Sequence, residues 1–202
     1  MAGSRLLACA ALSLLGSVAH VASAAEEQAG GDVPRKAQRI QAVERGFFLS
    51  LDFGGNLNLT KLDGRSYGFG VLTGVFAGYD ITPFLSISLG ATGMVATGSS
   101  DNPVQGDLMF ISPMAQLQFA FVTTERDFVY AKGGVGVAFG LPDKVGTTDF
   151  GGVGVTFRAL VGYEHYMKLR HFSLGVQAGV TGVTKPGVGI GISLMPTVKY
   201  TF

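Results

Sequence analysis

Six ionisable residues, Asp52, Asp80, Lys132, Arg158, Glu164 and Lys199, fall on or beside the small-residue face of alternating segments. Three are acids and three are bases, so two kinds of chemistry are open to them. They could carry ions or protons along a polar interior, or neutralise one another where water is scarce. Lys132, Glu164 and Lys199 lie near one end and are placed to pair across neighbouring segments, while Asp52 and Arg158 lie deeper. His165 and His171 sit six residues apart, which imitates a metal pair, but no Cys or carboxylate cluster completes a ligand set. A lipid-cleaving site would need a nucleophile or activated water beside a base, and the two His fall at a turn instead. Gly-rich runs such as Gly133-Gly134-Val135-Gly136 precede no helical pattern and are not phosphate loops. No catalytic, cofactor-binding or metal residue is therefore assigned, and the chain is expected not to be an enzyme.

The elements that must position these charges are read from alternation. In the last fifteen residues Val188, Ile190, Ile192, Leu194, Pro196, Val198, Tyr200 and Phe202 share one face, and Gly189, Gly191, Ser193, Met195, Thr197, Lys199 and Thr201 the other. Such a period of two belongs to a strand with one apolar and one small or polar face. The pattern occurs eight times, in Phe47–Leu59, Tyr67–Tyr79, Leu85–Ala96, Met109–Phe121, Val129–Phe139, Val153–Glu164, Phe172–Thr181 and the terminal strand. Tight connections at Asp80–Pro83, Thr123–Asp127 and Tyr166–Arg170 alternate with Thr60–Ser66, Gly98–Gly106, Pro142–Asp149 and Lys185–Gly187 at the opposite end. Three turns and four loops predict eight strands in up-and-down order, with both chain ends on the turn side.

Composition agrees with this reading. Of 202 residues 31 are Gly, only 14% are charged, and 15 Lys and Arg face 14 Asp and Glu. A basic nucleic-acid surface, a helical bundle, an acidic or basic disordered protein and a collagen repeat are excluded. A soluble sandwich or lipocalin would bury its apolar face. Here the other face is too small, and too often Gly, to wet a surface or fill an interior. Lipid outside and a narrow lumen inside satisfy both faces. In lipid every backbone N–H and C=O must be paired, so the first strand is expected to pair with the eighth. Tyr67, Tyr79, Phe84, Phe121, Phe128, Tyr163, Phe172, Tyr200 and Phe202 cluster near strand ends, as an aromatic girdle would. Two prolines, Pro113 and Pro196, fall inside strands, so a bulge or a local register error is expected at each.

The N-terminus reads as a secretory signal. Arg5 supplies the positive charge, Leu6–Val18 the apolar run and Ala22-Ser23-Ala24 the cleavage site. The expected organisation is a signal peptide over 1–24, a polar periplasmic arm over 25–45 and a barrel over 46–202. Cleavage removes Cys9, the single cysteine, so the mature chain folds without disulfides.

Tyr200-Thr201-Phe202 resembles the aromatic-x-aromatic end signal that barrel assembly machinery reads in Gram-negative outer-membrane proteins, although Thr197 stands where that pattern often has Gly. Gly78-Tyr79-Asp80-Ile81-Thr82-Pro83-Phe84-Leu85-Ser86-Ile87 is similar to a hairpin common in small barrels of this class. More narrowly, Glu44-Arg45-Gly46-Phe47-Phe48, His171-Phe172-Ser173-Leu174-Gly175 and Pro196–Phe202 together resemble the adventurous gliding motility outer-membrane proteins of myxobacteria. That resemblance implies a non-enzymatic component of an envelope-spanning motility machine, and it carries no residue roles.

The expectation is an all-β, eight-stranded antiparallel transmembrane barrel with a cleaved signal peptide, located in the bacterial outer membrane. Its expected partners are membrane lipid, the barrel assembly machinery and envelope proteins, with no nucleic acid and no cofactor. Asp52, Lys132, Arg158, Glu164 and Lys199 are the lumen charges; Tyr200 and Phe202 are the assembly signal. A small channel for ions or apolar solutes is the alternative, and a lipid-modifying enzyme the third reading.

Overall fold

The computed structural model describes residues 45–61, 67–98, 107–141, 152–169, 171–185 and 188–202, together with the backbone of 144–145 and 148–149. The expected signal peptide, all of the arm but Arg45, and most of the loop Gly98–Gly106 lie outside the described residues.

Eight long strands form: β1 (Phe47–Asn58), β2 (Tyr67–Thr82), β3 (Leu85–Gly98), β4 (Leu108–Thr123), β5 (Asp127–Leu141), β8 (Val153–Tyr166), β9 (Phe172–Val183) and β10 (Gly189–Thr201). Between β5 and β8, where a plain loop was expected, β6 (Lys144–Val145) and β7 (Thr148–Asp149) make a small separate ladder. The eight long strands close into one antiparallel barrel in the order β1-β2-β3-β4-β5-β8-β9-β10 and back to β1. Closure pairs Phe48 with Thr201 and Asn58 with Gly191 along the β1–β10 seam. Among the described residues the barrel sheet has no unpaired edge, as a backbone surrounded by lipid requires. Each of the eight barrel strands runs 12 to 16 residues, more than the roughly 9–11 needed to cross a bilayer.

Burial follows the period of two. Leu49, Leu51 and Phe53 of β1 are about half exposed, while Ser50 and Asp52 between them are buried. Large apolar side chains are exposed in the same way on every barrel strand. An apolar belt around the whole sheet far exceeds the few hundred Å² that a soluble monomer shows.

The two strand prolines do not create bulges. Pro113 pairs with Ala91 of β3 in unbroken register. On its other side the β4–β5 ladder skips from Ile111–Phe139 to Met114–Gly136 with no residue gained or lost. Pro196 behaves alike, pairing with Val176 on β9, while the β1–β10 ladder skips from Asp52–Thr197 to Gly55–Leu194. A proline deletes only the donor that would point to one neighbour, so one ladder opens and the other continues. A glycine lies within one gap and another at the edge of the second. A Cβ at Gly54 would collide with the Leu194 carbonyl oxygen and Met195, and one at Gly136 with the Pro113 carbonyl oxygen and Met114.

Register shifts occur elsewhere, between Tyr67 and Gly70, Asp80 and Thr82, and Ala120 and Val122. The first one turns Tyr67 into the barrel, where it is 2% exposed. The expected place of Tyr67 in an outer girdle is thereby corrected, because one extra residue reverses the faces of everything beyond it. Phe128 is also inside, packed edge-to-face on Tyr166 at 5.4 Å. Tyr79, Phe84, Phe121, Tyr163, Tyr200 and Phe202 remain exposed on the outside.

Candidate functional site

The interior has three layers. At the loop end, Tyr67, Leu72, Met94, Leu108, Phe110 and Met195 belong to one buried apolar cluster. At the turn end, Ala120, Phe128, Tyr130 and Tyr166 form a second, with the Arg45 guanidinium 5.8 Å from the Phe128 ring centre. Asp52, Lys132 and Arg158 lie between them, while Asp80, Glu164 and Lys199 share the turn-end layer with Phe128 and Tyr166. An interior lined by Gly and small residues was expected. Instead, large apolar side chains at the same parity as Ser, Gln and Gly fill it, among them Leu72, Phe76 and Phe110 at 1, 1 and 2% exposure.

Each lumen charge has a defined environment. Asp52 on β1 and Arg158 on β8 form an ion pair, Nη1 to Oδ2 at 3.6 Å, with side chains 0 and 1% exposed. Asp52 also accepts a 2.9 Å hydrogen bond from Thr197. Arg158 Nη2 donates to the Met195 sulfur at 3.0 Å, and its guanidinium lies 6.0 Å from the Phe76 ring centre. Lys199 binds both oxygens of Asp80 at 3.1 and 3.2 Å and lies 4.2 Å from the Phe48 ring centre. Ser86 donates to the same Asp80 at 2.6 Å. Lys132 donates to Gln177 Oε1 at 3.1 Å, and Ser173 donates to Glu164. Lys132, Glu164 and Lys199 thus do not pair directly with one another, although all three line one cavity of about 10 Å³ with Gln118 and Thr197. A second cavity of about 20 Å³ lies nearer the turn end, beside Asp80, Glu164, Tyr166 and Lys199. Each has room for about one water. The hydroxyl, amide and thioether partners Thr197, Gln177 and Met195 carry no charge, and sequence reading gave them no role. Their signal was the shared inward parity alone.

Among the described residues three acids and three bases face this interior, so its formal charge balances. Charges removed from bulk water are tolerated when paired and hydrogen-bonded. The arrangement consequently holds strands together across the lumen; Arg158 spans β9 and β10 to reach β1.

The two histidines lie at the turn end, apart from the lumen charges. His165 Nδ1 is 2.7 Å from Asp127 Oδ1, which also accepts from Tyr163 at 2.5 Å. His171 Nδ1 is 2.9 Å from the Thr201 carbonyl oxygen, and its ring stacks on Tyr200 at 5.8 Å. Tyr200 in turn meets Phe202 edge-to-face at 5.1 Å. Among the described residues no group of three His, Cys, Asp or Glu is placed to hold a metal ion.

Among solved structures, the barrel is similar to Neisserial surface protein A, with 16% identity, a TM-score of 0.58, and 78% of this chain and 97% of that chain covered. It is also similar to the outer membrane protein OprG from Pseudomonas aeruginosa, with 12% identity, a TM-score of 0.50, and 80% and 99% covered. No protein-family model and no curated protein matches the chain. At these identities the likeness is one of fold, the closed eight-stranded antiparallel barrel.

Proposed function

We propose that this chain is a sealed outer-membrane barrel that acts without catalysis, as a structural and interaction component of a bacterial envelope complex. The observation that carries the reading is the interior: two buried apolar clusters and charges that balance fill it, leaving beside Lys132, Glu164 and Lys199, among the described residues, only cavities of about 10 and 20 Å³. An eight-stranded barrel is just wide enough for its own side chains to fill, and here bulky ones do. The function then belongs to the rims and the outer wall. Membrane location is supported by the continuous apolar belt, and by likeness to proteins whose own names place them at a bacterial surface or outer membrane. The non-enzymatic reading is supported by the engagement of both histidines, His165 with Asp127 and His171 with Thr201. A role in gliding rests on the three short sequence motifs alone.

The test combines gel mobility with conductance. The folded protein in detergent should migrate faster unheated than boiled, and in planar bilayers it should give no steady single-channel current. Currents that change when Lys132 or Arg158 is neutralised would replace this reading with the channel.

A further inference from the structure

On the outer wall the apolar belt dips into a groove of about 510 Å³, within the size range of small-molecule sites, roughly 300–1,000 Å³. Two cross-strand rows build it. In one, Phe119 of β4 pairs with Ala131 of β5, Ala131 with Val161 of β8, and Val161 with Ala178 of β9. In the other, Leu117 pairs with Gly133 and Gly133 with Ala159. Leu117 and Phe119 form a wall, and the small residues beside them a floor. On β1, by contrast, Leu49, Leu51 and Phe53 put large side chains at consecutive outward positions.

Below this groove the turn end carries two exposed cations. Exposed Arg126 lies on the β4–β5 turn, and its carbonyl accepts from the Tyr166 N–H at 2.8 Å, which sets that turn against β8. Exposed Lys168 lies on the β8–β9 turn between exposed Met167 and Leu169. The sequence of this turn, Met167-Lys168-Leu169-Arg170-His171, contains no carboxylate. Two acids are nearby. Asp127 is engaged by Tyr163, His165 and Thr124, and Glu125 is exposed.

Height relates the two features. Ala131 stands five residues above Arg126, about 17 Å along a strand and roughly 13 Å in height at the usual barrel tilt. Half of a bilayer's hydrocarbon core is about 15 Å, so one acyl chain covers the span from the cationic rim to the groove.

We infer that this wall is a seat for one anionic glycerophospholipid of the periplasmic leaflet. One acyl chain lies in the groove against Leu117 and Phe119, and the phosphate is held by Arg126 and Lys168. The two exposed cations at the rim favour an anionic headgroup over a second barrel, whose rim would bring the same two cations beside a single exposed acid, Glu125. The inference rests on the membrane reading above; failure of that reading appears first, as a protein without heat-shifted mobility.

The experiment is native mass spectrometry of the folded full chain in detergent, with equal amounts of dioleoyl phosphatidylglycerol and dioleoyl phosphatidylcholine. The wild-type protein is expected to retain one phosphatidylglycerol in preference to phosphatidylcholine. Arg126→Gln and Lys168→Gln should each lower that preference about fivefold, and Glu125→Gln should raise it. Ala159→Leu and Ala178→Leu fill the groove from an open face and should lower retention of both lipids; heat-shifted mobility verifies that each variant folds. Equal retention of the two lipids by wild-type protein overturns the inference. So does a dimer that Ala159→Leu dissolves, which makes the groove a contact between copies.

Discussion

Arg158 of β8 reaches Asp52 of β1 across two intervening strands, with Nη1 and Oδ2 3.6 Å apart and neither side chain more than 1% exposed. The contact ties the last third of the sheet to its first strand, beside the seam where the barrel closes. Its geometry is imperfect, since Arg158 Nε has no hydrogen-bond partner among the described residues.

The pair should be costly to break and cheap to replace. Arg158→Met leaves the Asp52 carboxylate buried without its cation and is expected to cost about 3–5 kcal/mol. The double variant Asp52→Leu with Arg158→Met should recover most of that loss. Urea titration of the protein folded in lipid vesicles measures both, and a double variant no more stable than the single one would falsify the pairing.

The apolar cluster at the loop end should be what blocks passage. Phe110→Ala removes a side chain that is 2% exposed and should cost roughly 3–5 kcal/mol. Combined with Phe76→Ala, it should also open a conducting path in planar bilayers where the wild-type protein shows none. If the double variant unfolds at the same urea concentration as wild type, these rings are not packed as described.

The glycines at the proline gaps should be intolerant of a methyl group. Gly54→Ala and Gly136→Ala force a backbone carbonyl or Met195 and Met114 to move, at an expected cost of about 1–3 kcal/mol. Gly68→Ala is the control, because a Cβ there meets nothing within 4 Å. Equal stability of all three variants would place the strands further apart at Pro113 and Pro196 than they are.

Tyr200 and Phe202 are proposed as the assembly signal, and their ring contacts with each other and with His171 suggest how they are presented. Deleting Phe202 should lower the heat-shifted fraction in cells several-fold while leaving refolding into pure lipid vesicles largely intact. A parallel loss in both assays would assign the residue to barrel stability instead of assembly.

Much of the fold was legible because a strand exposes its environment twice per period. Leu49, Leu51 and Phe53 against Ser50 and Asp52 already distinguish the two faces of β1, and three turns against four loops give the strand number. Legibility failed where a local event changes parity or where parity says nothing of size. The register shift after Tyr67 moves one aromatic inside, and nothing in the surrounding residues announces it. Phe76, Met94 and Phe110 stand at inward positions among small neighbours such as Gly74, Gly78 and Ser112, and parity alone does not say which side chains fill the lumen.

The sequence by itself determined eight alternating strands, their up-and-down order, and the inward parity of Asp52, Arg158 and Lys199. Alternation is local, a consequence of side chains pointing to opposite faces at successive residues, so it survives without knowledge of partners. Tertiary structure alone decided that Arg158 meets Asp52, that Lys199 meets Asp80 in preference to Glu164, and that Tyr67 turns inward. Those outcomes depend on register, tilt and closure, which set how far each strand slides past its neighbour. Residues far apart in the chain become neighbours across a lumen only after the last strand has paired with the first.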